Sequence, residues 1–327
     1  MNKTLTTLQQ LSRVLGFYLR FLISFTQIGY LVRRTAWIPP VIADFRGQHW
    51  FVTGGSGGLG KAMVLAALRA GATVTAAARS ASKLRDLQDE ASARGFAGLD
   101  TECCDFTSVA DVDALIARLA SKNRRIDVLM NNVGVLNDEL IVTSEGFEAS
   151  FVSNLLSHYQ LTQALIEKGL LSTGSAIINM TSGGGYHFPL VTALLDVKDP
   201  KRYNGVVAYG CHKRAQITLN AFWRNQYRDR GIEFFVTHPG WVDTAGVRRS
   251  LPRFRKMLKS ILRDAESGAD TAVWLAAVRP RQPDKELVWF DRRMRAAHIY
   301  RHTRRPPDSA TALVKYLDRQ LAAARAQ

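Results

Sequence analysis

Apolar positions along the chain follow two alternating patterns from residue 48 onwards. Short apolar runs, the first at 49–53, alternate with longer segments in which apolar residues recur every three or four positions. Short continuous runs are typical of strands buried on both faces, and the longer spacing is typical of helices. Their alternation predicts a doubly wound α/β fold, with a parallel sheet covered by helices on both faces.

The pattern divides the chain into a central domain (47–291), an N-terminal helical extension (1–46) and a basic C-terminal tail (292–327). Strands are expected at 49–53, 71–78, 99–105, 126–130, 175–181, 232–237 and 286–290. Helices are expected at 61–69, 82–94, 108–121, 147–168, 208–229, 267–278 and from about 309. Together they predict a seven-stranded sheet in the order 3-2-1-4-5-6-7.

The N-terminal extension has an amphipathic helical pattern of its own. Apolar residues recur every three or four positions between residues 11 and 32, and Pro39 and Pro40 end the helix. Arg20 interrupts the apolar stretch, which argues against a transmembrane span, and no secretory cleavage site follows. Two interpretations stay open: the helix packs on the domain or a second subunit, or residues 11–34 contact an anionic membrane peripherally.

Composition narrows the class of protein. The 327 residues include 44 Lys and Arg against 28 Asp and Glu, a net charge of +16. This charge favours phosphates or anionic lipids; nucleic acid is not expected as a partner, because no recognition motif accompanies the charge. Three cysteines lack the spacing of a disulfide framework or a metal site, which predicts a reduced, cytoplasmic protein without a metal: Cys103, Cys104 and Cys211.

The first predicted strand runs into a glycine cluster and then into a helix. Glycines allow a tight turn and close approach of a phosphate, and the N–H groups of the first helical turn attract its charge. The cluster spans Gly54–Gly60 and therefore predicts a dinucleotide site. About twenty residues later, where an acidic residue would bind the ribose of NAD, the second strand ends in Arg79; a basic residue there favours NADP(H).

A Tyr–Lys pair supplies candidate chemistry. Tyr209 and Lys213 are four residues apart on a predicted helix, so both project from one face. An ammonium group near a phenol stabilises the phenolate and lowers its pKa, which suits proton transfer with a carbonyl or alcohol oxygen. A second basic, amphipathic segment (244–264) is expected to form a lid over the site, a membrane contact or a solvated surface.

These motifs, taken in order, resemble the short-chain dehydrogenase/reductase family and its single-domain, Rossmann-fold branch. The resemblance covers about residues 47–290. It rests on 53–60, Asp105, 131–134, Asn154, Ser182, Tyr209-x-x-x-Lys213 and 239–240.

The resemblance implies roles for individual residues. Tyr209 would be the acid/base, Lys213 would lower its pKa and hold the nicotinamide ribose, Ser182 would polarise the substrate oxygen, and Asn154 would support a water-linked proton path. Arg79 would bind the 2′-phosphate, Asp105 the adenine, and Asn131 the adenosine ribose and central sheet. The pyrophosphate would lie on Gly54, Ser56, Gly57, Gly58, Leu59 and Gly60, and the nicotinamide beside Pro239, Val242 and Thr244.

The function expected is an NADP(H)-dependent oxidoreductase that interconverts a carbonyl and an alcohol on an apolar substrate. Two alternatives stay open: an NADP-binding interaction or membrane-associated protein with little catalysis, and an enzyme similar to sugar-nucleotide epimerases and dehydratases, whose Gly-x-x-Gly-x-x-Gly pattern the glycines also satisfy. The family further implies a homo-oligomer built on helices 147–168 and 208–229. Ser182 and Tyr209 are 27 residues apart, longer than in many members, which affects the expected substrate shape.

Overall fold

An eight-stranded sheet forms the centre of the computed structural model, which describes residues 16, 20–37, 43–244, 246, 248 and 252–326. The strand order is β3-β2-β1-β4-β5-β6-β7-β8, and every neighbouring pair is parallel except β7 with β8, which is antiparallel. The strands are β1 (His49–Thr53), β2 (Thr73–Ala78), β3 (Leu99–Cys103), β4 (Val128–Asn131), β5 (Ala176–Met180), β6 (Glu233–Thr237), β7 (Leu287–Phe290) and β8 (Arg293–Ala296).

Helices connect the strands and cover both faces of the sheet. They are α1 (Gln27–Arg34), α2 (Gly58–Arg69), α3 (Ala81–Ala93), α4 (Val109–Lys122), α5 (Ala149–Phe151), α6 (Ser157–Glu167), α7 (Gly205–Gln226), α8 (Pro252–Leu258), α9 (Ala265–Val278) and α10 (Ala310–Arg325). One apolar core lies beneath α2, α3 and α9, and a second lies beneath α4, α6, α7 and α10. This arrangement confirms the predicted doubly wound Rossmann fold.

Local sequence signals explain where several helices begin. Ser80, Ser108 and Asn204 each accept a backbone N–H from the first turn of α3, α4 and α7, which satisfies donors that a helix N-terminus leaves free. The predicted helix over 147–168 is helical from 149 to 167, but a π-helical turn, Val152–Leu156, separates α5 from α6. Asn154 lies in that turn.

The eighth strand corrects the predicted count of seven. Asp291 and Arg292 form a tight turn with φ of 47° and 56°, and the chain returns antiparallel to β7. Two consecutive positive φ values are typical of the two-residue turns that join hairpins. All four residues of β8 are exposed, so the strand lacks the apolar pattern by which sequence analysis finds strands.

The C-terminal helix α10 packs into the main core rather than projecting from it. Leu313 and Leu317 are fully buried in the core formed with α4, α6 and α7. The Tyr159 hydroxyl of α6 donates to Asp318 at 2.5 Å, and Arg325 pairs with Asp113 of α4. α10 therefore covers apolar faces of the helices that the predicted homo-oligomer would use; the oligomer itself stays a prediction.

The N-terminal segment, residues 20–35, packs on the domain through one face and exposes another. Phe25 and Tyr30 are buried, whereas four aliphatic side chains are 48–68% exposed: Ile23, Ile28, Leu31 and Val32. Both interpretations of this helix thus keep structural support. Most of the predicted helix before residue 20, and Pro39 with Pro40, lie outside the described residues. No helix in the described part of the chain is long and apolar enough to cross a membrane.

Candidate active site

The glycine-rich turn follows β1 at the edge of the sheet where the parallel strands end. Gly54 and Gly58 have φ of 66° and 53°, values that favour glycine, and α2 begins at Gly58. Its cap, Gly57, offers no side chain to the first turn, and that turn carries no acidic residue. The N–H groups and the positive end of the helix dipole are therefore free to attract a phosphate.

Two polar residues hold this turn in place. The Thr53 hydroxyl accepts from the backbone N–H groups of Asn132 and Val133, and the Asn132 amide donates to the Thr53 carbonyl at 2.8 Å. A Cβ atom at Gly60 would lie 2.1 Å from the Gly54 carbonyl oxygen, so only glycine fits there. Asn132 belongs to the predicted motif at 131–134, but the resemblance implied a role only for its neighbour Asn131.

Asn131 lies one residue earlier, and its side chain points into the core. Its amide donates to the Thr162 hydroxyl and to the Asn179 side chain, both at 3.0 Å, and the residue is fully buried. Of the two roles that the resemblance implies, this geometry supports the bracing of the central sheet. The contact of Asn131 with the adenosine ribose stays a prediction.

Arg79 and Asp105 lie together at the carboxyl ends of β2 and β3. Their side chains are 3.7 Å apart, and the Arg79 guanidinium is 72% exposed. Asp105 is oriented by Thr107, whose N–H and hydroxyl donate to the same carboxylate oxygen. Next to Arg79, Ser80 caps α3 and brings Lys83 into the first turn of that helix. This corner thus combines the exposed Arg79 guanidinium with the N-terminus of α3, a suitable environment for a phosphate.

Ser182 and Tyr209 are brought together by the short turn that follows β5, which contains Gly184 and Gly185. A Cβ atom at Gly184 would lie 3.7 Å from the Tyr209 ring, and one at Gly185 would lie 3.1 Å from the Lys213 backbone. These small residues let the turn pack directly on α7. Burial raises the pKa of Tyr209, and the side-chain hydrogen bond with Ser182 opposes that rise.

Lys213 is buried below Tyr209 on the same face of α7. Its ammonium donates to the Met180 carbonyl at 2.8 Å and lies 5.5 Å from the centre of the Tyr209 ring. Burial lowers the pKa of Lys213 to about 7. The sequence argument expected Lys213 to lower the pKa of Tyr209; here burial has the larger effect on both groups, because each charged form is costly away from water.

Asn154 clamps the chain that follows β4. Its side-chain oxygen accepts from the Val135 N–H at 2.7 Å, and its amide donates to the Val135 carbonyl at 2.8 Å. The backbone carbonyl of Asn154 accepts from Gln216 of α7 at 2.6 Å. The sequence did not indicate Gln216, which thus donates a hydrogen bond to a backbone carbonyl within the π-helical turn. The water-linked proton path stays a prediction.

The β6 loop, residues 239–244, closes the site beside the glycine-rich turn. A Cβ atom at Gly58 would lie 3.6 Å from the Thr244 methyl, and one at Gly268 would lie within 2.7 Å of both Val242 and Leu59. Within the predicted lid (244–264), α8 is helical and Phe254 packs on Trp241. Residues 245, 247 and 249–251 of the lid lie outside the described residues.

This geometry agrees with the comparisons to known proteins. The family described as short chain dehydrogenase matches residues 48–194. The short chain dehydrogenase/reductase dpchH of Colletotrichum higginsianum is 30% identical over 278 residues, 76% of this chain and 68% of that protein. The chain belongs to the short-chain dehydrogenase/reductase family. It is also similar to dehydrogenase/reductase SDR family member 12 of Bos taurus, with 29% identity over 88% of this chain and 91% of the relative.

A solved structure from Mycobacterium paratuberculosis, of an uncharacterised protein, has the same fold. Its TM-score is 0.67, with 22% identity, and the match covers 88% of this chain and 97% of that chain. The resemblance inferred from the motifs is therefore confirmed at the level of family and fold.

The site fits the dinucleotide, NAD(P), that this family uses. The N-terminus of α2 has no side-chain cap, so its N–H groups are suited to a pyrophosphate. The buried Lys213 amine, with one carbonyl partner at 2.8 Å, is suited to donate to a ribose hydroxyl. Gly54, Gly57, Gly58 and Gly60 would hold the pyrophosphate, and Lys213 would hold the nicotinamide ribose.

The long interval between Ser182 and Tyr209 forms a structured cover rather than a loose loop. Leu190 and Leu195 are buried in the core next to α7. The His212 ring donates to the Leu195 carbonyl at 2.7 Å, and the Glu148 backbone N–H donates to Asp196. The insertion thus packs over the N-terminal ends of α5 and α7, beside Tyr209.

Proposed function

We propose that this protein is an NADP(H)-dependent oxidoreductase that interconverts a carbonyl and an alcohol, with Tyr209 as general acid and base. The observation that carries the proposal is the meeting of Ser182, Tyr209 and Lys213 after the end of β5, at the same edge of the sheet as the glycine-rich turn that follows β1. A nicotinamide cofactor, when bound, supplies or accepts the hydride. The protein then has to orient the substrate and exchange one proton with its oxygen.

Each of the three side chains has a part in that exchange. In the direction of reduction, the Ser182 hydroxyl holds the substrate oxygen and the Tyr209 hydroxyl gives it a proton, leaving a phenolate. Lys213, 5.5 Å from the Tyr209 ring, stabilises that phenolate when it is protonated. Its pKa of about 7 also allows it to gain or lose a proton near neutral pH. Asn154 holds Val135 and keeps the neighbouring backbone fixed.

The preference for NADP(H) is supported by the corner that Arg79 forms with the N-terminus of α3, which Ser80 caps. Arg79 is exposed and its only ion pair among the described residues is the long one to Asp105, so its charge stays available to a 2′-phosphate. An apolar substrate is supported by Phe188, which packs on Gly210 next to Tyr209, and by the aromatic pair Trp241 and Phe254 at the lid.

The test is the Tyr209→Phe variant, assayed on a broad panel of carbonyl compounds. We expect NADPH consumption to fall by at least about a thousandfold, because the ring stays while the proton donor is lost. NADPH binding, measured by fluorescence titration, should stay within about twofold of the parent protein, since a phenyl ring fills the same space. Full activity in this variant would exclude the mechanism.

The two alternative functions make different predictions for the same assays. An NADP-binding protein with little catalysis would bind NADPH but turn over none of the carbonyl compounds. A sugar-nucleotide epimerase would need a sugar-binding unit, and the described residues after Thr244 instead form the lid, α9, two strands of the same sheet and α10. That use of the C-terminal half favours the reductase.

We also propose a cytoplasmic location with peripheral membrane contact through residues 11–34. The support is the row of exposed aliphatic side chains on the N-terminal segment, on a chain whose net charge is +16. Apolar side chains that face water beside basic residues are the combination that binds an anionic membrane surface.

A further inference from the structure

A buried ion pair lies where the N-terminal segment, the lid and the β7–β8 turn meet. Arg263 and Asp291 are each 1% exposed, and two parallel hydrogen bonds of 2.7 and 2.9 Å join the guanidinium to the carboxylate. Arg33 of α1 donates to the same carboxylate at 2.6 Å. The guanidinium groups of Arg33 and Arg263 thus share the buried carboxylate of Asp291. One carboxylate neutralises only one of the two charges, so the other hydrogen bonds of each arginine matter for its burial.

Arg263 also binds the N-terminal segment through the backbone. Its guanidinium donates to the carbonyls of Ser24 and Phe25, both at 3.1 Å. The Phe25 ring packs edge-on against His238 at 4.5 Å and Trp241 at 5.6 Å. The N-terminal segment is therefore fixed to the residues on either side of Pro239.

The same arginine sets the path of the β6 loop. It donates to the Pro239 carbonyl at 3.3 Å, and its backbone pairs with Trp241 and Asp243 in a short parallel bridge. Gly240 has φ of 81°, and a Cβ atom there would lie 2.5 Å from the Arg263 guanidinium. The Arg263 side chain and backbone thus fix the conformation of the loop at Pro239, Gly240 and Val242.

The β6 loop carries the effect to the dinucleotide site. Thr244 and Val242 contact the glycine-rich turn at Gly58 and Leu59, as described above. We propose that Arg263 is a positioning residue through which the N-terminal segment holds the β6 loop against the glycine-rich turn. The segment is then part of the cofactor site, whatever its exposed face binds. For the identity of the ligand, this inference rests on the proposed function.

The test compares the variants Arg263→Met and Phe25→Ala with the parent protein. Methionine leaves Asp291 paired with Arg33, so no buried carboxylate loses all its cations. We expect the dissociation constant for NADPH to rise by about fivefold or more, with kcat at saturating NADPH within about twofold. Amide hydrogen exchange at Trp241 and Asp243 should accelerate by about tenfold in the protein without ligand. Their N–H groups donate to the backbone carbonyls of Phe25 and Arg263, which remain in both variants but are held less firmly.

Asp270→Asn is the matched control. It removes the Asp270–Arg292 ion pair, whose arginine stacks on Trp37 at 4.1 Å, and so loosens the other end of the N-terminal region without touching the β6 loop. The control should lower thermal stability and leave NADPH affinity and loop exchange unchanged. An equal effect of all three variants would mean general destabilisation and would overturn the proposal.

The remaining outcomes are also decisive. Unchanged loop exchange in both Arg263→Met and Phe25→Ala would disprove the mechanical coupling. Faster exchange with unchanged NADPH affinity would disprove its effect on the site. If the parent protein binds neither NADPH nor NADH, the proposed function fails, while the exchange data still decide whether the segment holds the loop.

Discussion

At the scale of single residues, burial decides how the candidate catalytic groups behave. Lys213 has lost water and gained one carbonyl, so its ammonium form is costly and its pKa falls to about 7. The sequence placed Lys213 beside Tyr209 by helical spacing. It could not show the depth of the pocket, because burial is set by the turn at Gly184 and Gly185, far away in the chain.

The pKa of Lys213 makes stability depend on pH. The folded-state pKa lies below the ordinary value of 10.5, so between about pH 7 and 10.5 the unfolded chain binds a proton that the folded chain lacks. The free energy of unfolding should therefore rise with pH across this window, by up to about 1.4 kcal/mol per pH unit from this group.

Urea unfolding of the parent protein and of Lys213→Met, at intervals from pH 7 to 9.5, measures this contribution as the difference between the two. The variant should lack the slope. A difference that does not change with pH would show that Lys213 keeps an ordinary pKa in the folded protein.

Arg79 provides a second prediction at this scale. Arg79→Asp should raise the KM for NADPH by about a hundredfold and the KM for NADH by less than threefold, because a charge-assisted bond to the 2′-phosphate becomes a repulsion. Steady-state kinetics with both cofactors provide the measurement, and Arg69→Asp, at the far end of α2, is the control. Equal changes in the two KM values would exclude Arg79 as the phosphate ligand.

At the scale of elements, the sequence predicted well where local signals agree with the fold. Strands β1 to β7 lie within about two residues of their predicted ends, because all of them except the partly exposed edge strand β3 are buried, mostly apolar runs. The sequence did not predict β8, because its residues are exposed. It did not predict the π-helical turn either, because the Asn154 carbonyl in that turn accepts a hydrogen bond from Gln216, sixty-two residues further along the chain. Long-range contacts of this kind leave no local pattern.

The docking of α10 is testable by a single substitution. Leu317→Ala should lower the free energy of unfolding by about 2–5 kcal/mol, as expected for a fully buried leucine. Lys315→Ala on the exposed side of the same helix should change it by less than about 0.5 kcal/mol. Equal, small effects of both in chemical denaturation would mean that α10 is not held against the domain in solution.

At the scale of the whole molecule, the chain separates a covered face from an exposed one. α10 packs on apolar faces of α6 and α7, the helices on which the family implies a subunit contact, and the oligomer itself stays a prediction. The aliphatic row on the N-terminal segment remains uncovered. Composition predicted an anionic partner in general terms; only the structure shows which apolar side chains stay on the outside.

Vesicle binding tests the membrane contact. Co-sedimentation with phosphatidylserine-containing vesicles should fall by at least about tenfold in Ile28→Asp/Leu31→Asp, because two inserting apolar side chains become charged. The control is Ile141→Asp, which changes an equally exposed isoleucine elsewhere. Binding should also weaken with salt and with neutral vesicles. Equal binding by the double variant and the control would exclude this face.

The position of α10 in the chain also affects how the protein folds during synthesis. Every other element of the core that it closes is translated first, so α4, α6 and α7 leave the ribosome with apolar flanks that have no cover yet. A core with exposed apolar surface is prone to aggregation until α10 has been translated and packs on it. A stop codon that removed only this helix would therefore spare every residue of the candidate site and still be expected to deprive the cell of soluble protein.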